Sequence, residues 1–218
     1  MNKLLDRLSY RFRRVCIPNL MVYIIIAMAA VYVVELFVPE MPLSLYMFFS
    51  RELIFQGQWW RVITWILIPD TSNPIALIFS LYFYYIIGSG LEREWGSFKF
   101  NLYYFMGVIF TIAAGFISGF ATNMFLYYSM FFAFAVLYPD FQVLLFFFLP
   151  IKIKWLALVD LVFFIIMFFI GDWTYKAAII AAMANFVLFF WDDFGKFIKN
   201  QIYYAKHRKN YKNNKFWK

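Results

Sequence analysis

One cysteine, Cys16, and one histidine, His207, stand in a chain of 218 residues. A lone thiol excludes an internal disulfide and any cysteine metal cluster, and it leaves the redox state of the compartment unread. His207 falls in a basic C-terminal stretch outside every long apolar run, so chemistry that needs a histidine base within those runs is excluded by inventory. No metal or organic cofactor is expected. Charge is scarce too: 15% of residues are Asp, Glu, Lys or Arg, against about a quarter in an ordinary soluble domain. In their place are 65% hydrophobic and 25% aromatic residues, a composition that a water-soluble globule cannot bury. Residues 100–138 carry no charge and residues 155–170 carry only Asp160. These runs predict an all-α integral membrane protein.

Six spans are expected, at residues 20–37, 75–91, 100–120, 123–138, 155–170 and 177–191. Several fall short of the typical ~20 residues, which a thin hydrocarbon belt or longer helices would accommodate. The run FQVLLFFFL at 141–149 lies between Pro139 and Pro150 and is too short to cross, so it reads as a loop or short helix packed on the bundle. Basic residues support an even number of spans. With the N-terminus cytoplasmic, all but Arg51, Arg61 and Lys176 of the 20 Lys and Arg fall on the cytoplasmic side. Both termini are therefore expected inside, and a seventh span would throw the basic tail outside.

The organisation that follows is a basic, amphipathic segment at 1–19, a membrane domain at 20–191 and a basic tail at 192–218. The net charge of +8 is chiefly this topology, with the tail YYAKHRKNYKNNKFWK also suited to an anionic lipid surface. Membrane lipids are thus expected partners. Nucleic acid is not, because no folded recognition module accompanies the basic residues. The N-terminus resembles a signal peptide, down to the small pair Ala27 and Ala29, yet its apolar run continues to Phe37 and reads as an uncleaved first span.

Asp160, in WLALVDLVFFII, is the one acid placed well inside a span. Such a group is paired, solvated or functional. It is expected to face a basic residue or a polar helix neighbour near the cytoplasmic end, or else to line a surface that a client or lipid touches. A proton relay is disfavoured because Glu35 sits at the far end of the first span. Gly115 and Gly119, with Thr111 a turn before, form a small-xxx-small series, and Gly88 stands four before Glu92. Both spacings permit close helix approach, within the bundle or at a dimer seam.

The segment GQWWRVITWILIP follows a stretch, 39–58, that is too polar and proline-punctuated to span. Trp59, Trp60 and Arg61 therefore belong to a long outer loop lying on the bilayer, with 62–68 dipping an apolar face into lipid. Tryptophans anchor at interfaces, and Arg61 is expected to meet headgroups or carbonyls of its own loop. Glu92, at the other end of the second span, is expected to bond near the start of the third helix and not to touch Arg61.

Together with IPNLMVYIII, IIGSGLEREWGSFKFNLYYF and AVLYPDFQVLLFFFLPIKIKWL, that segment resembles the rhomboid superfamily over residues 20–191. The resemblance implies a six-transmembrane-helix bundle with a long interfacial first loop, a tryptophan-arginine motif in that loop, and a glycine followed four later by glutamate, here Gly88 and Glu92. The protease pattern is broken. Counting back from LYP puts the nucleophile motif at TNMF, residues 122–125, with Met124 where serine would stand. The sixth helix, AAIIAAMANFVLFF, has Ala182 or a neighbour in place of histidine, and Ala76 and Ser80 replace the polar oxyanion positions. Ser129 lacks flanking glycines.

What the resemblance implies is a noncatalytic, derlin-like pseudoprotease in a bacterial plasma membrane, binding transmembrane clients or perturbing lipid. The close FFWDDF is loosely similar to that branch. Two other readings stand beside it: an intramembrane serine protease with an unconventional site, and a lipid or small-solute transporter. A transporter would show inverted repeats, and none is visible between the halves.

Overall fold

The computed structural model describes residues 16–38, 40–145 and 149–191. The basic segment before Cys16, the tail from 192 onward with His207, and the acidic part of FFWDDF lie outside the described residues.

Each expected span falls on a helix: α1 (Leu20–Phe37), α2 (Pro74–Trp95), α3 (Ser97–Ser118), α4 (Met124–Leu137), α5 (Ile153–Ile170) and α6 (Trp173–Trp191). Five of them are long and apolar enough to cross a bilayer. The exception is α4, whose 14 residues rise only ~21 Å. It is the most enclosed element, with Leu126, Ser129, Met130 and Ala133 all buried in its middle. At the other extreme α5 buries only Ile153 and Phe164 and leaves Phe169 and Ile170 76% and 80% exposed. An apolar face of that size is avoided in water and required against lipid. The chain is a multi-pass, all-α membrane protein.

Helix ends depart from the apolar runs where polar residues continue them. Asn73 caps α2, its side-chain oxygen accepting from the backbone N–H groups of Ile75 and Ala76, and Pro74 fills the first turn, where its missing N–H costs nothing. The helix then runs four residues past the expected end because Glu92 and Arg93 are good helix formers. Only Gly96, at φ 80°, separates it from α3.

Residues 40–73 form no span. They fold as short helical turns, Leu43–Met47, Arg51–Phe55 and Arg61–Thr64, with a 3-10 turn at Trp65–Leu67. A two-residue strand, β1 (Phe49–Ser50), pairs antiparallel with β2 (Phe120–Ala121) just beyond α3. The Arg51 guanidinium also donates to the Phe116 carbonyl at 3.0 Å. This first-loop hairpin is thus stitched to one end of the bundle. The small-xxx-small series serves the same contact: a Cβ on Gly115 would lie 2.8 Å from Phe49, while Gly119, at φ 95°, ends α3. Its close approach is to the hairpin, not to another helix.

The apolar face of 62–68 also turns inward. Trp65 and Ile66 are buried against the bundle, and Ile63 points out.

The described part of the run at 141–149 is strand at 142–145 and at 149, where a loop or short helix is expected. It opens a two-stranded antiparallel pair, β3 (Gln142–Leu145) with β4 (Leu149–Lys152), in which Leu144 faces Pro150. A pair of edge strands tolerates proline, which a helix interior does not. Lys152 and Lys154 each reach Asp140 Oδ1 at 2.9 Å and close its base.

Gly88 meets the expectation of close approach. A Cβ there would sit 2.5 Å from Met21 Cγ, so the glycine lets α1 and α2 touch. Gly88→Ala is expected to lower unfolding stability by about 1 kcal/mol, since the obstacle is a flexible methionine that can shift. Thermal unfolding in detergent measures it.

Candidate functional site

Arg61 is buried, at 3% exposure, and does not reach for headgroups. Its guanidinium donates to the carbonyls of Leu45 and Phe48, each at 3.0 Å, and to Gln58 Oε1 at 2.6 Å, and it lies 4.6 Å over the Phe48 ring. Of the two expected partners, headgroups and loop carbonyls, the carbonyls hold it. The reason is the fork geometry: five fixed donors can close several orphan backbone acceptors at once. Trp59 and Trp60 point outward, 68% and 53% exposed, as interface anchors do, and the Trp60 indole donates to the Tyr46 carbonyl at 3.0 Å.

Glu92 lies at the opposite end of α2 from this hairpin. Its Oε1 accepts from the Asn19 backbone N–H at 2.9 Å and from the Ser97 hydroxyl at 2.6 Å, joining the starts of α1 and α3. Gly88 is one turn away on the side that meets Met21. The glycine-glutamate spacing therefore joins three helices at one corner, and its bonds do not involve Arg61.

In the bundle centre, Ser129 on α4 is fully buried. The Tyr103 hydroxyl lies 2.8 Å from the Ser129 carbonyl, which accepts, and 2.6 Å from the Ser129 hydroxyl, a contact in which either oxygen can donate. The Asn185 amide donates to Ser129 Oγ at 3.4 Å and to the Tyr103 carbonyl at 3.3 Å. Three helices, α3, α4 and α6, meet here because Gly107 leaves room: a Cβ would lie 2.5 Å from Leu126 and 2.9 Å from Asn185. No sequence motif marks Tyr103 or Asn185. The available signal was a lone amide in an apolar span, which must find a partner.

Asp160 is the eighth residue of α5, two turns in from its start. It lines a cavity of about 380 Å³ between α2, α4 and α5. Among the described residues no basic side chain lines that cavity, and the polar neighbour there is Tyr128. A second acid, Asp70, enters the same cavity from the end of the first-loop hairpin and accepts a hydrogen bond from the Tyr84 hydroxyl. Tyr84 stacks on Tyr127 with ring centroids 3.8 Å apart. Met124, at the first turn of α4, forms part of the wall. Asp70 was missed because PDTSNP reads as an ordinary polar turn.

Packing around its carboxyl pushes Asp70 up to about 6, although the residue is exposed at the cavity rim. A carboxyl raised above its unfolded value holds its proton longer in the fold, so its contribution favours folding at low pH and is lost as pH rises from about 4 through 6. Melting temperature is expected to fall slightly over that window. Asp70→Asn flattens the change, and melting curves at stepped pH check it.

No protein-family model matches the chain, and no curated protein matches it. The fold and site define a class: a multi-pass helical membrane protein with a hairpin fixed across one end and a cavity of aromatic and acidic residues beside its central short helix.

Proposed function

We propose that this chain is a noncatalytic rhomboid-like protein of a bacterial plasma membrane, with both termini cytoplasmic, that holds a membrane-embedded client against the cleft between α2 and α5. The observation that carries the reading is the placement of Met124. The position where the resemblance expects a nucleophile lines the cleft and bears a thioether, while the neighbouring serine is withdrawn into the bundle centre.

Ser129 is also poorly placed for chemistry. The described side chains in hydrogen-bond reach of its hydroxyl are a phenol and an amide, neither of them a base, whereas a serine nucleophile needs a base within that reach. The sparsely buried α5 favours client access, since Ile153 and Phe164 are its buried residues and Leu156, Ala157 and Met167 pack only partly against the core. The exposed tryptophans of the hairpin give the protein a grip on the interface and a means of perturbing nearby lipid.

The reading is tested with a photocrosslinking residue at position 124 and, as a control, at the outward-facing position 26 on α1. In membranes, transmembrane clients are expected to crosslink from 124 and not from 26. Equal yields from both positions would count against a client cleft.

A further inference from the structure

We infer that the cavity between α2, α4 and α5 is a binding site for a lipophilic ammonium cation. The inference goes beyond client binding and stands on the cavity itself. Its volume, about 380 Å³, lies in the range of small-ligand sites. Five aromatic residues line it beside Ile87, Met124 and Leu156: Tyr84 and Tyr127, stacked on each other, Tyr128, and the Phe83–Phe131 pair with centroids 5.7 Å apart. Aromatic walls of this kind attract a cation through the ring quadrupole.

Charge selects the sign of the ligand. Asp160 makes no hydrogen bond or ion pair with a described residue, and the one partner of Asp70 is the Tyr84 hydroxyl. Both carboxylates line the cavity together with Tyr128. Among the described residues no Lys, Arg, His, Asn or Gln side chain lines the space. A half-buried carboxylate within a span is costly without a counter-charge. A bound cation supplies one to both acids; an anion is repelled, and a neutral ligand leaves them as they were.

The donor set suits an organic cation better than a metal ion caged by protein ligands. Among the described residues no group of three His, Cys, Asp or Glu comes together, whereas a hard divalent cation takes six or more oxygens. A lipophilic tail is implied by the surroundings: the α5 wall is flanked by Val159, Val162 and Phe163, all turned outward. The same headgroup chemistry is offered by a free amphipathic amine and by an ethanolamine lipid.

The test uses the full chain in dodecyl maltoside, a neutral detergent. Hexyltrimethylammonium binding is measured by calorimetry beside hexyl sulfate and hexanol, and native mass spectrometry compares retention of phosphatidylethanolamine with phosphatidylglycerol. The ammonium compound is expected to bind at least about tenfold more tightly than hexanol, with the preference lost in Asp160→Asn and reduced in Asp70→Asn. Selective retention of the ethanolamine lipid, lost in the same variants, identifies a lipid source; calorimetric binding without that retention identifies a free amine. Melting of each ligand-free variant shows that it is folded, and Asp70→Asn, at the rim, carries the test if Asp160→Asn does not fold. Neither cation binding above hexanol, or binding unchanged in both variants, would overturn the inference. Client crosslinking at 124 that persists in Asp160→Asn leaves the client reading intact whichever result is found here.

Discussion

Replacing Arg61 by alanine is expected to lower stability by about 3 kcal/mol or more and to loosen the first-loop hairpin before the rest of the bundle. The guanidinium is the one group that ties the Leu45 and Phe48 carbonyls and the Gln58 side chain together. Alanine leaves those acceptors without their donor and removes the cation over the Phe48 ring. Lysine restores charge but not the fork, so Arg61→Lys should recover less than half of the loss. Thermal unfolding gives the magnitude, and limited proteolysis gives the place, with cuts expected first between residues 40 and 73. Unfolding of Arg61→Ala indistinguishable from the parent would remove the guanidinium from its structural role.

Gly107→Val is the second large effect, at about 3 kcal/mol, because the first added carbon already conflicts with two helices. Leu126 on α4 and Asn185 on α6 stand 2.5 Å and 2.9 Å from where it would go. Neither neighbour can yield freely, since Leu126 is in the core and Asn185 spans from Ser129 to Tyr103. Asn185→Leu should cost far less, on the order of 1 kcal/mol, because its bonds are long and single interhelical hydrogen bonds in membranes average well under that. The contrast assigns the junction to close packing, with polarity a minor part. Equal melting losses in the two variants would contradict it.

The spans were legible because a long apolar run has few alternatives in a bilayer: each backbone group must be bonded within its own segment. Their ends were less so. The polar sequence LEREW continues α2 on helix propensity and on the Glu92 bonds to Asn19 and Ser97, neither of which an apolar count registers. The β3–β4 pair was hidden for a different reason. Residues 141–149 are apolar apart from Gln142 and show no period, so length alone excluded a span without choosing among the remaining structures. Trp59 to Arg61 stood out as a motif, yet the inward turn of Arg61 depends on carbonyls supplied 13 and 16 residues earlier. Asp160 was visible as a charge out of place. Its companion Asp70 was not, since only the fold brings a loop carboxylate into a cavity with an α5 residue.

Gly115 shows the same limit in packing. Its spacing from Gly119 announces a close approach but not the partner, and that partner is the hairpin residue Phe49. A glycine pattern reports the room available; the neighbour is decided by how the chain returns.

The proposed holding of clients at the cleft without cleavage is open to one direct measurement. Purified protein carrying a photocrosslinker at position 124 is reconstituted in lipid with helix-destabilised transmembrane substrates, and crosslinking and cleavage are read from the same samples. Crosslinked, full-length substrate is the expected product, unchanged in yield when Ser129 is replaced by alanine. Substrate fragments that appear with the parent and vanish in Ser129→Ala would contradict the account.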